Sequence, residues 1–177
     1  MIAHVENGRI TRLDSDDRPD SLASSDYDLK KNYDFKSIRI VKDLAEGLPK
    51  LHCTETEIEQ VLLNLLRNAA QAMAEAEPPI PDPCIRIRVR ALGTGLRIDI
   101  ADNGPGISPE NRKRIFEPFF TTKIAGAGTG LGLSVSYFII TKGHGGAMYV
   151  TAPAEGGTMF SIELPGPDES VKNELHA

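Results

Sequence analysis

The sequence lacks the features that mark several classes of protein, beginning with cysteines and long apolar runs. Its two cysteines, Cys53 and Cys84, stand apart and fit no zinc or redox spacing, and they are too few for a disulfide scaffold. No apolar run approaches the ~20 residues that span a bilayer, and the N-terminus carries no apolar signal segment. We therefore expect a chain in a reducing, cytoplasmic setting, without direct membrane contact.

An excess of basic charge is also missing. The net charge is -5, and the 20 Lys and Arg residues are scattered along the chain, which argues against nucleic acid as a partner. The 177 residues contain no internal repeat, and 40% of them are hydrophobic and 25% charged. These values are typical of one globular domain with a substantial core.

Alternating apolar and polar residues predict five strands. Lys36–Ala45 reads as an edge strand, and two antiparallel hairpins follow, with turns at residues 93–95 and at Gly156-Gly157. The hairpin strands are predicted at residues 84–91, 96–102, 148–151 and 158–164. With two helices in this order, the pattern predicts the α+β class: a two-layer α/β sandwich whose mixed, mostly antiparallel sheet is covered on one face by helices.

Two helices and one long loop complete the predicted fold. The first helix runs from Glu55 to Glu75 after an N-cap at Thr54 or Thr56, and four nearby prolines end it. The second runs over 131–142 and ends at Gly143 as its C-cap. Its predicted buried face consists of Leu131, Val135, Phe138 and Ile139. The loop from Asn103 to about Gly130 is too long for a simple connection, which predicts a functional lid.

The first helix has a polar line beside its apolar stripe. The stripe is formed by Ile58, Val61, Leu62, Leu65, Ala69, Ala72 and Met73. Asn64, Asn68, Gln71 and Glu75 follow at i, i+4, i+7 and i+11, so they lie along one side of the helix. Asparagine is a mediocre helix former, which leaves two readings open: a solvated face or a binding face.

Asp102 is the most informative single residue. It is in phase with Leu96, Ile98 and Ile100, so its carboxylate is predicted to point toward the core at the end of a strand. A buried carboxylate requires a partner, and a neutral donor such as the exocyclic amino group of adenine suits it. The alternative is that residues 102–106, DNGPG, form only a turn.

The run Gly126, Gly128, Gly130 and Gly132 leads into the second helix and predicts an anion site suited to phosphates. No P-loop ending and no G-x-G-x-x-G after a strand is present, so a nucleotide would be held in another way. A triphosphate brings a hard dication, to which Asn68 can offer an amide oxygen. Lys123, on the lid, is a candidate for the terminal phosphate or, alternatively, a solvated loop lysine.

Five stretches together resemble the characteristic boxes of the catalytic ATP-binding domain of bacterial sensor histidine kinases, members of the GHKL group with the Bergerat fold. In chain order they are NLLRNAAQA at 64–72, DNGPG at 102–106, FEPFFTTK at 116–123, GTGLGL at 128–133 and EGGTMF at 155–160. The likeness covers roughly residues 35–164. The phenylalanine-rich stretch is most similar to the nitrogen-regulator type of kinase.

The resemblance implies Mg-ATP as the cofactor and a position for each of its parts. Asn68 would bind magnesium and act with Lys123 in catalysis, while Asp102 would read adenine. The other implied binding residues are Asn64, Gln71, Gly104, Gly106, Ile107, Thr122, Gly128, Thr129, Gly130, Leu131, Gly132 and Thr158. In such kinases the lid orders around ATP, and Phe116, Phe119 and Phe120 would anchor it or dock on the dimerisation helices.

The sequence departs from the wider group at Asn64. Gyrase- and MutL-type ATPases carry a glutamate four residues before the magnesium asparagine, where it activates water. An amide accepts no proton, so we expect slow hydrolysis and transfer to another acceptor.

A phosphoacceptor histidine is also absent from the sequence. His4, His52, His144 and His176 all lie outside an H-E-x-x-x-P context, and His144, between two glycines, reads as a turn residue. The expected chain is an excised catalytic domain, or alternatively a free-standing kinase that acts in trans. An anti-sigma-factor type of serine kinase and a non-catalytic regulatory module are the competing functions.

The sequence divides into three expected parts. Residues 1–34 read as a tail or the remnant of a linker to a dimerisation domain, 35–165 as the ATP-binding domain, and 166–177 as a disordered tail. The implied partners are the dimerisation and histidine-phosphotransfer domain of the same kinase and a response regulator. The implied location is cytoplasmic, either free or as the cytoplasmic part of a membrane-anchored kinase.

Overall fold

The computed structural model describes residues 2–6, 9–14, 35–123 and 129–167. Its elements, in chain order, are β1 (Ile2–Glu6), β2 (Arg9–Asp14), β3 (Arg39–Leu44), α1 (Glu55–Ala74), β4 (Cys84–Leu92), β5 (Gly95–Asp102), α2 (Pro109–Arg112), α3 (Gly132–Phe138), β6 (Ala147–Thr151) and β7 (Thr158–Leu164). A π-helical segment, Ile139–Gly143, extends α3. Among these elements no helix is both long and apolar enough to cross a membrane.

The main sheet has five strands in the order β3-β4-β5-β7-β6. Only β3 pairs in parallel, with β4, because α1 connects the two strands; every other pairing is antiparallel. The inward side chains of the strands pack against α1 and the α3 segment in one continuous apolar core. This confirms the predicted two-layer α+β sandwich, the edge position of β3 and both hairpins.

Alternation along β4 and β5 separates a dry face of the sheet from a charged one. Ile87 and Ile100 are buried opposite each other, while the neighbouring Arg88 and Asp99 lie on the other face. On that face the Arg97 guanidinium donates to Asp99 and Ser161, and the Tyr149 hydroxyl donates to Glu163. The bond to Ser161 joins β5 to β7 and the bond to Glu163 joins β6 to β7, so both reinforce the strand order.

Helix α1 follows its predicted bounds to within one residue. Thr54 is the N-cap, although its side chain makes no capping hydrogen bond. Leu65 is 1% exposed, and burying such a side chain contributes about 1.5–3 kcal/mol. The buried face is wider than predicted because it includes Leu66 and Ala70, whereas Leu62 and Ala72 are partly exposed.

The predicted buried face of the second helix is right at Ile139 but wrong at Val135 and Phe138. Val135 and Phe138 are 40% and 64% exposed, and the buried positions are Ser136, Ile139 and Ile140. The helix is therefore rotated by about one residue, or roughly 100°, from the predicted orientation. After Phe138 the chain continues as the π-helical segment, and its C-cap is His144 rather than Gly143.

The N-terminal region contains a two-stranded sheet that was not predicted. Strands β1 and β2 pair as a separate antiparallel sheet, for which Asn7-Gly8 between them is a typical hairpin sequence. Most of the predicted C-terminal tail lies outside the described residues. The assignment of residues 1–34 to a linker remains a prediction.

Candidate active site

Helix α1 contacts both the lid and α3 through its polar line. The Asn64 amide Nδ2 donates to the hydroxyl of Ser136 on α3 at 3.0 Å. Seven residues later, about 10 Å along the helix, Gln71 Oε1 accepts from Lys123 Nζ on the lid at 2.6 Å. Gln71 also donates to Glu75 at 2.7 Å. The polar line is a contact surface rather than a solvated face.

Asn68 lies between these two contacts and is half-buried. Within the described ranges its side-chain amide has no hydrogen-bond partner, unlike the amides of Asn64 and Gln71. An amide oxygen in such a position is a suitable ligand for a hard cation, since it adds no negative charge. The sequence prediction of a magnesium ligand is compatible with this geometry.

Asp102 is buried at the end of β5, as its phase in the strand predicted, and it is 8% exposed. Its Oδ1 accepts from the backbone amides of Gly104 at 2.9 Å and Thr158 at 3.3 Å. Burial raises the pKa of Asp102, and the hydrogen bonds from Gly104 and Thr158 oppose that rise. Both backbone donors reach Oδ1, which leaves Oδ2 without a backbone donor among the described residues and suited to a ligand amino group.

The turn after Asp102 is held by a side chain that sequence reasoning missed. Asn103 Nδ2 donates to the Asp82 carbonyl and its Oδ1 accepts from the Cys84 amide, both at 2.8 Å. Asparagine commonly forms such side-chain to backbone bonds at turns, which is the signal that was available. These bonds fix the end of β5 to the start of β4.

Several glycines around Asp102 lie where no side chain fits. A Cβ on Gly104 would lie 2.9 Å from Asp102 Oδ1 and 3.2 Å from Met73, and one on Gly157 would lie 1.9 Å from the Asp102 carbonyl oxygen. Gly106, with φ of +79°, faces Gly157 directly. Gly157 was not among the predicted site residues. Thr158 is buried beside Asp102, and Ile107 packs against the core.

The Asp102 turn and the lid meet α1 within three residues of each other. Gly104 packs on Met73, while Lys123 bonds to Gln71. The acid and the lysine therefore approach the same end of α1, and α3 approaches its middle at Asn64. Residues distant in sequence thus converge along one helix, as the prediction of a single site requires.

The lid is closed at its base by Phe119 and Gly130. The Phe119 amide donates to the Gly130 carbonyl at 3.0 Å, and Gly130 has φ of +66° with no room for a Cβ. Leu131 N donates to Thr129 Oγ1 at 3.3 Å. A Cβ on Gly132 would lie 2.4 Å from Asn64 Oδ1.

Thr122 and Gly128 are the remaining predicted site residues. Thr122 is exposed near the tip of the described part of the lid. Gly128, like Gly126, lies outside the described residues.

Two of the three lid phenylalanines anchor its base. Phe116 stacks on Tyr137 of α3 at 4.8 Å between ring centroids, and the Arg114 guanidinium lies 4.5 Å from the Phe120 ring. Phe119 differs, because it is 73% exposed and has φ of 65°, a strained value for a bulky residue. It holds its place through its backbone contact with Gly130.

Comparisons with known proteins show the family to which this fold belongs. The family model for histidine kinase-, DNA gyrase B- and HSP90-like ATPases matches residues 53–168. The C4-dicarboxylate transport sensor protein DctS of Rhodobacter capsulatus is 39% identical over 129 residues, covering 72% of this chain and 19% of DctS. The catalytic domain of histidine kinase ThkA superposes with a TM-score of 0.63 at 34% identity, covering 73% of this chain and 80% of that domain.

A second ThkA structure contains a partner. ThkA in complex with the response regulator protein TrrA has a TM-score of 0.60 at 30% identity, covering 75% of this chain and 35% of that one. The chain spans between 12 and 26% of the length of the curated relatives compared. The chain therefore belongs to the family of histidine kinase-, DNA gyrase B- and HSP90-like ATPases and carries the ATP-binding catalytic domain of a sensor histidine kinase.

Proposed function

We propose that this chain binds Mg-ATP and transfers the γ-phosphoryl group to a histidine on a separate dimerisation domain, from which it passes to a response regulator. The observation that carries the proposal is the convergence on α1 of the buried Asp102 turn, the lid lysine and α3. Each of these supplies groups suited to a different part of the nucleotide.

The adenine end is assigned to the Asp102 turn. The carboxylate, already oriented by Gly104 and Thr158, accepts the exocyclic amino group of adenine. Gly104 and Gly106 let a flat ring approach the backbone, and Ile107 supplies apolar contact. This arrangement favours adenine over guanine, which presents an oxygen at the corresponding position.

The phosphate end is assigned to the polar line of α1 and the residues before α3. Asn68 would hold the magnesium ion, which neutralises phosphate charge when bound. Lys123 can exchange its bond to Gln71 for a phosphate oxygen, since an ammonium group attracts an anion more strongly than an amide. The remaining phosphate-side residues of the proposal are Thr122, Gly128, Thr129, Gly130, Leu131 and Gly132.

Transfer rather than hydrolysis follows from the side chains present. Asn64 occupies the place of a water-activating glutamate, and an amide cannot accept a proton. Catalysis then consists of positioning and charge neutralisation by Asn68 and Lys123. Assignment to the nitrogen-regulator type of kinase is part of the same proposal and is supported by residues 116–123.

The proposed partners follow from the reaction. A histidine-bearing dimerisation domain is the acceptor, and the ThkA complex with TrrA supports a response regulator as the next one. The proposal includes no nucleic-acid partner and no direct membrane contact by this chain. It places the reaction in the cytoplasm. The chain acts there alone or as the cytoplasmic part of a membrane-anchored kinase.

Labelled ATP tests the reaction. The chain is mixed with Mg-ATP and either a histidine-bearing dimerisation domain from a related sensor kinase or a serine-bearing protein of the anti-sigma system. We expect acid-labile label on the histidine domain, and none with a matched acceptor in which the histidine is replaced by alanine. Acid-stable label on serine alone would overturn histidine transfer in favour of a serine kinase. ATP binding without label on either acceptor would favour a regulatory module.

A further inference from the structure

We propose that Asn64 is a positioning residue that holds α3, whose first residue is Gly132, against α1, rather than a group that contacts phosphate. The proposal rests on the proposed function and deepens it, because it assigns to Asn64 a role different from the one implied by the resemblance. It is supported by the positions of the two polar atoms of the Asn64 amide, Nδ2 and Oδ1.

Both ends of the Asn64 side chain face the α3 segment. Nδ2 donates to Ser136 Oγ at 3.0 Å. Oδ1 lies so close to Gly132 that a Cβ there would approach to 2.4 Å. One amide therefore contacts α3 at its first residue and again one turn later, which fixes both its distance from α1 and its rotation.

Ser136 makes this contact unusual. It is 2% exposed and the buried residue of α3, in a helix that leaves Val135 and Phe138 on the outside. In this orientation the continuing segment buries Ile139 and Ile140, whereas burial of Val135 and Phe138 would require a different rotation of α3. A buried hydroxyl requires a hydrogen-bond partner, and Asn64 supplies it. The polar pair therefore selects the observed orientation of α3.

The orientation of α3 determines where the residues directly before it, Gly130 and Leu131, lie. Gly130 meets Phe119 at the base of the lid, and Gly132 meets Asn64, so the segment between them is fixed at both ends. Loss of the Asn64–Ser136 bond frees α3 to rotate toward burial of Val135 and Phe138. That rotation would move Gly130 and Gly132 away from the phosphate position, although neither glycine has been substituted.

A double-mutant cycle tests the proposal, with Mg-ATP affinity as the readout for Asn64→Ala, Ser136→Ala and the double variant. Each single change should weaken binding by about 5- to 10-fold, and the double variant should be no weaker than either one, since both remove the same bond. Ser134→Ala is the matched control: the Ser134 hydroxyl donates to the carbonyl of Leu131, the N-cap of α3, and makes no bond to α1 among the described residues, so affinity should be unchanged.

Three outcomes have distinct meanings. Normal affinity in Ser136→Ala with a loss in Asn64→Ala would overturn the proposal, because Asn64 would then act directly on the phosphates. Additive losses would overturn it too. Absence of Mg-ATP binding by the wild-type chain would instead refute the proposed function itself.

A second measurement keeps the test informative if Ser136→Ala folds poorly. Gly132→Ala should weaken Mg-ATP binding in the wild-type chain because its methyl group meets Asn64 Oδ1. In the Asn64→Ala background that clash is gone, so the loss caused by Gly132→Ala should be clearly smaller. An equal loss in both backgrounds would show that Gly132 acts independently of Asn64 and would contradict the proposal.

Discussion

At the scale of single residues, the carboxylate of Asp102 is expected to lower stability at neutral pH and, in the proposed function, to recognise adenine. It is buried, and it has no ion-pair partner among the described residues. Burial raises its pKa above the ordinary value of 3.8, so the folded state holds the proton more tightly than the unfolded state. Stability contributed by the protonated form is therefore lost as the pH rises from about 4 through the raised pKa, and the ionised form is a cost at neutral pH.

Asp102→Asn should separate these two effects. The isosteric amide keeps an acceptor for Gly104 and Thr158 but carries no charge, so we expect a higher urea midpoint than wild type at neutral pH. The gain should shrink as the pH falls toward 4. ATP affinity should fall by about 1–3 kcal/mol, roughly 5- to 150-fold, because the adenine amino group loses its acceptor.

An exposed acid provides the control for that prediction. Asp82 bonds to Arg39, which lowers its pKa, so Asp82→Asn should not raise stability at neutral pH and should leave ATP affinity intact. A drop in the stability of Asp102→Asn at neutral pH would contradict the burial cost. Equal wild-type affinity for ATP and GTP would contradict the adenine assignment.

At the scale of elements, a histidine joins the beginning of α1 to the end of the α3 segment. His144 Nε2 accepts from the Thr54 amide at 3.1 Å, and the Nδ1 side contacts the Ile139 carbonyl at 3.0 Å. A neutral ring with the proton on Nδ1 satisfies both contacts. The side chain is 6% exposed, so this residue, read from sequence as part of a turn, is also a structural link.

His144→Ala should destabilise the domain by about 1–3 kcal/mol, because the bond to the Thr54 amide and the contact with the Ile139 carbonyl are both lost. His52→Ala is the matched control, since His52 is exposed and should cost less. Urea unfolding of both variants measures the difference. An equal midpoint for the two variants would show that the link between α1 and the α3 segment contributes nothing to stability.

At the scale of the whole molecule, one face of the sheet is apolar and carries the helices, while the other bears a network of charged side chains. Among the described residues, the groups assigned to the nucleotide lie on the helices, in loops beside them, or, for Asp102 and Thr158, at strand ends. A ligand that binds there only in the folded state stabilises the entire domain in proportion to the logarithm of its concentration. Thermal unfolding therefore reports on the site.

Mg-ATP at about 100 times its Kd should stabilise the wild-type domain by about 2.7 kcal/mol. Asn68→Ala should abolish the magnesium-dependent part of that gain while leaving the Tm without nucleotide unchanged, because the Asn68 amide has no hydrogen-bond partner among the described residues. Gln60→Ala, an exposed position on the same helix, is the control. A normal magnesium-dependent shift in Asn68→Ala would refute its assignment as the metal ligand.

Local periodicity was sufficient to predict most of the architecture. The 3.6-residue pattern of α1 and the alternation along β4 and β5 depend on neighbouring residues, and the structure confirms both. The burial of Asp102 followed from its phase with Ile98 and Ile100. The resemblance identified the family and predicted ATP as its nucleotide, and the comparisons confirm both.

Only the tertiary structure decided how the elements face one another. Sequence periodicity places Val135 and Phe138 inside, yet a hydrogen bond from Asn64, 72 residues away, turns Ser136 inward instead. Likewise, Asn103 and His144 bond to the backbone amides of Cys84 and Thr54, and these distant partners are not visible in the local sequence. The sequence by itself therefore determined which segments form helices and strands, because that depends on short-range periodicity. The rotation of α3 and the closure of the site depend on long-range polar contacts, which exist only after packing.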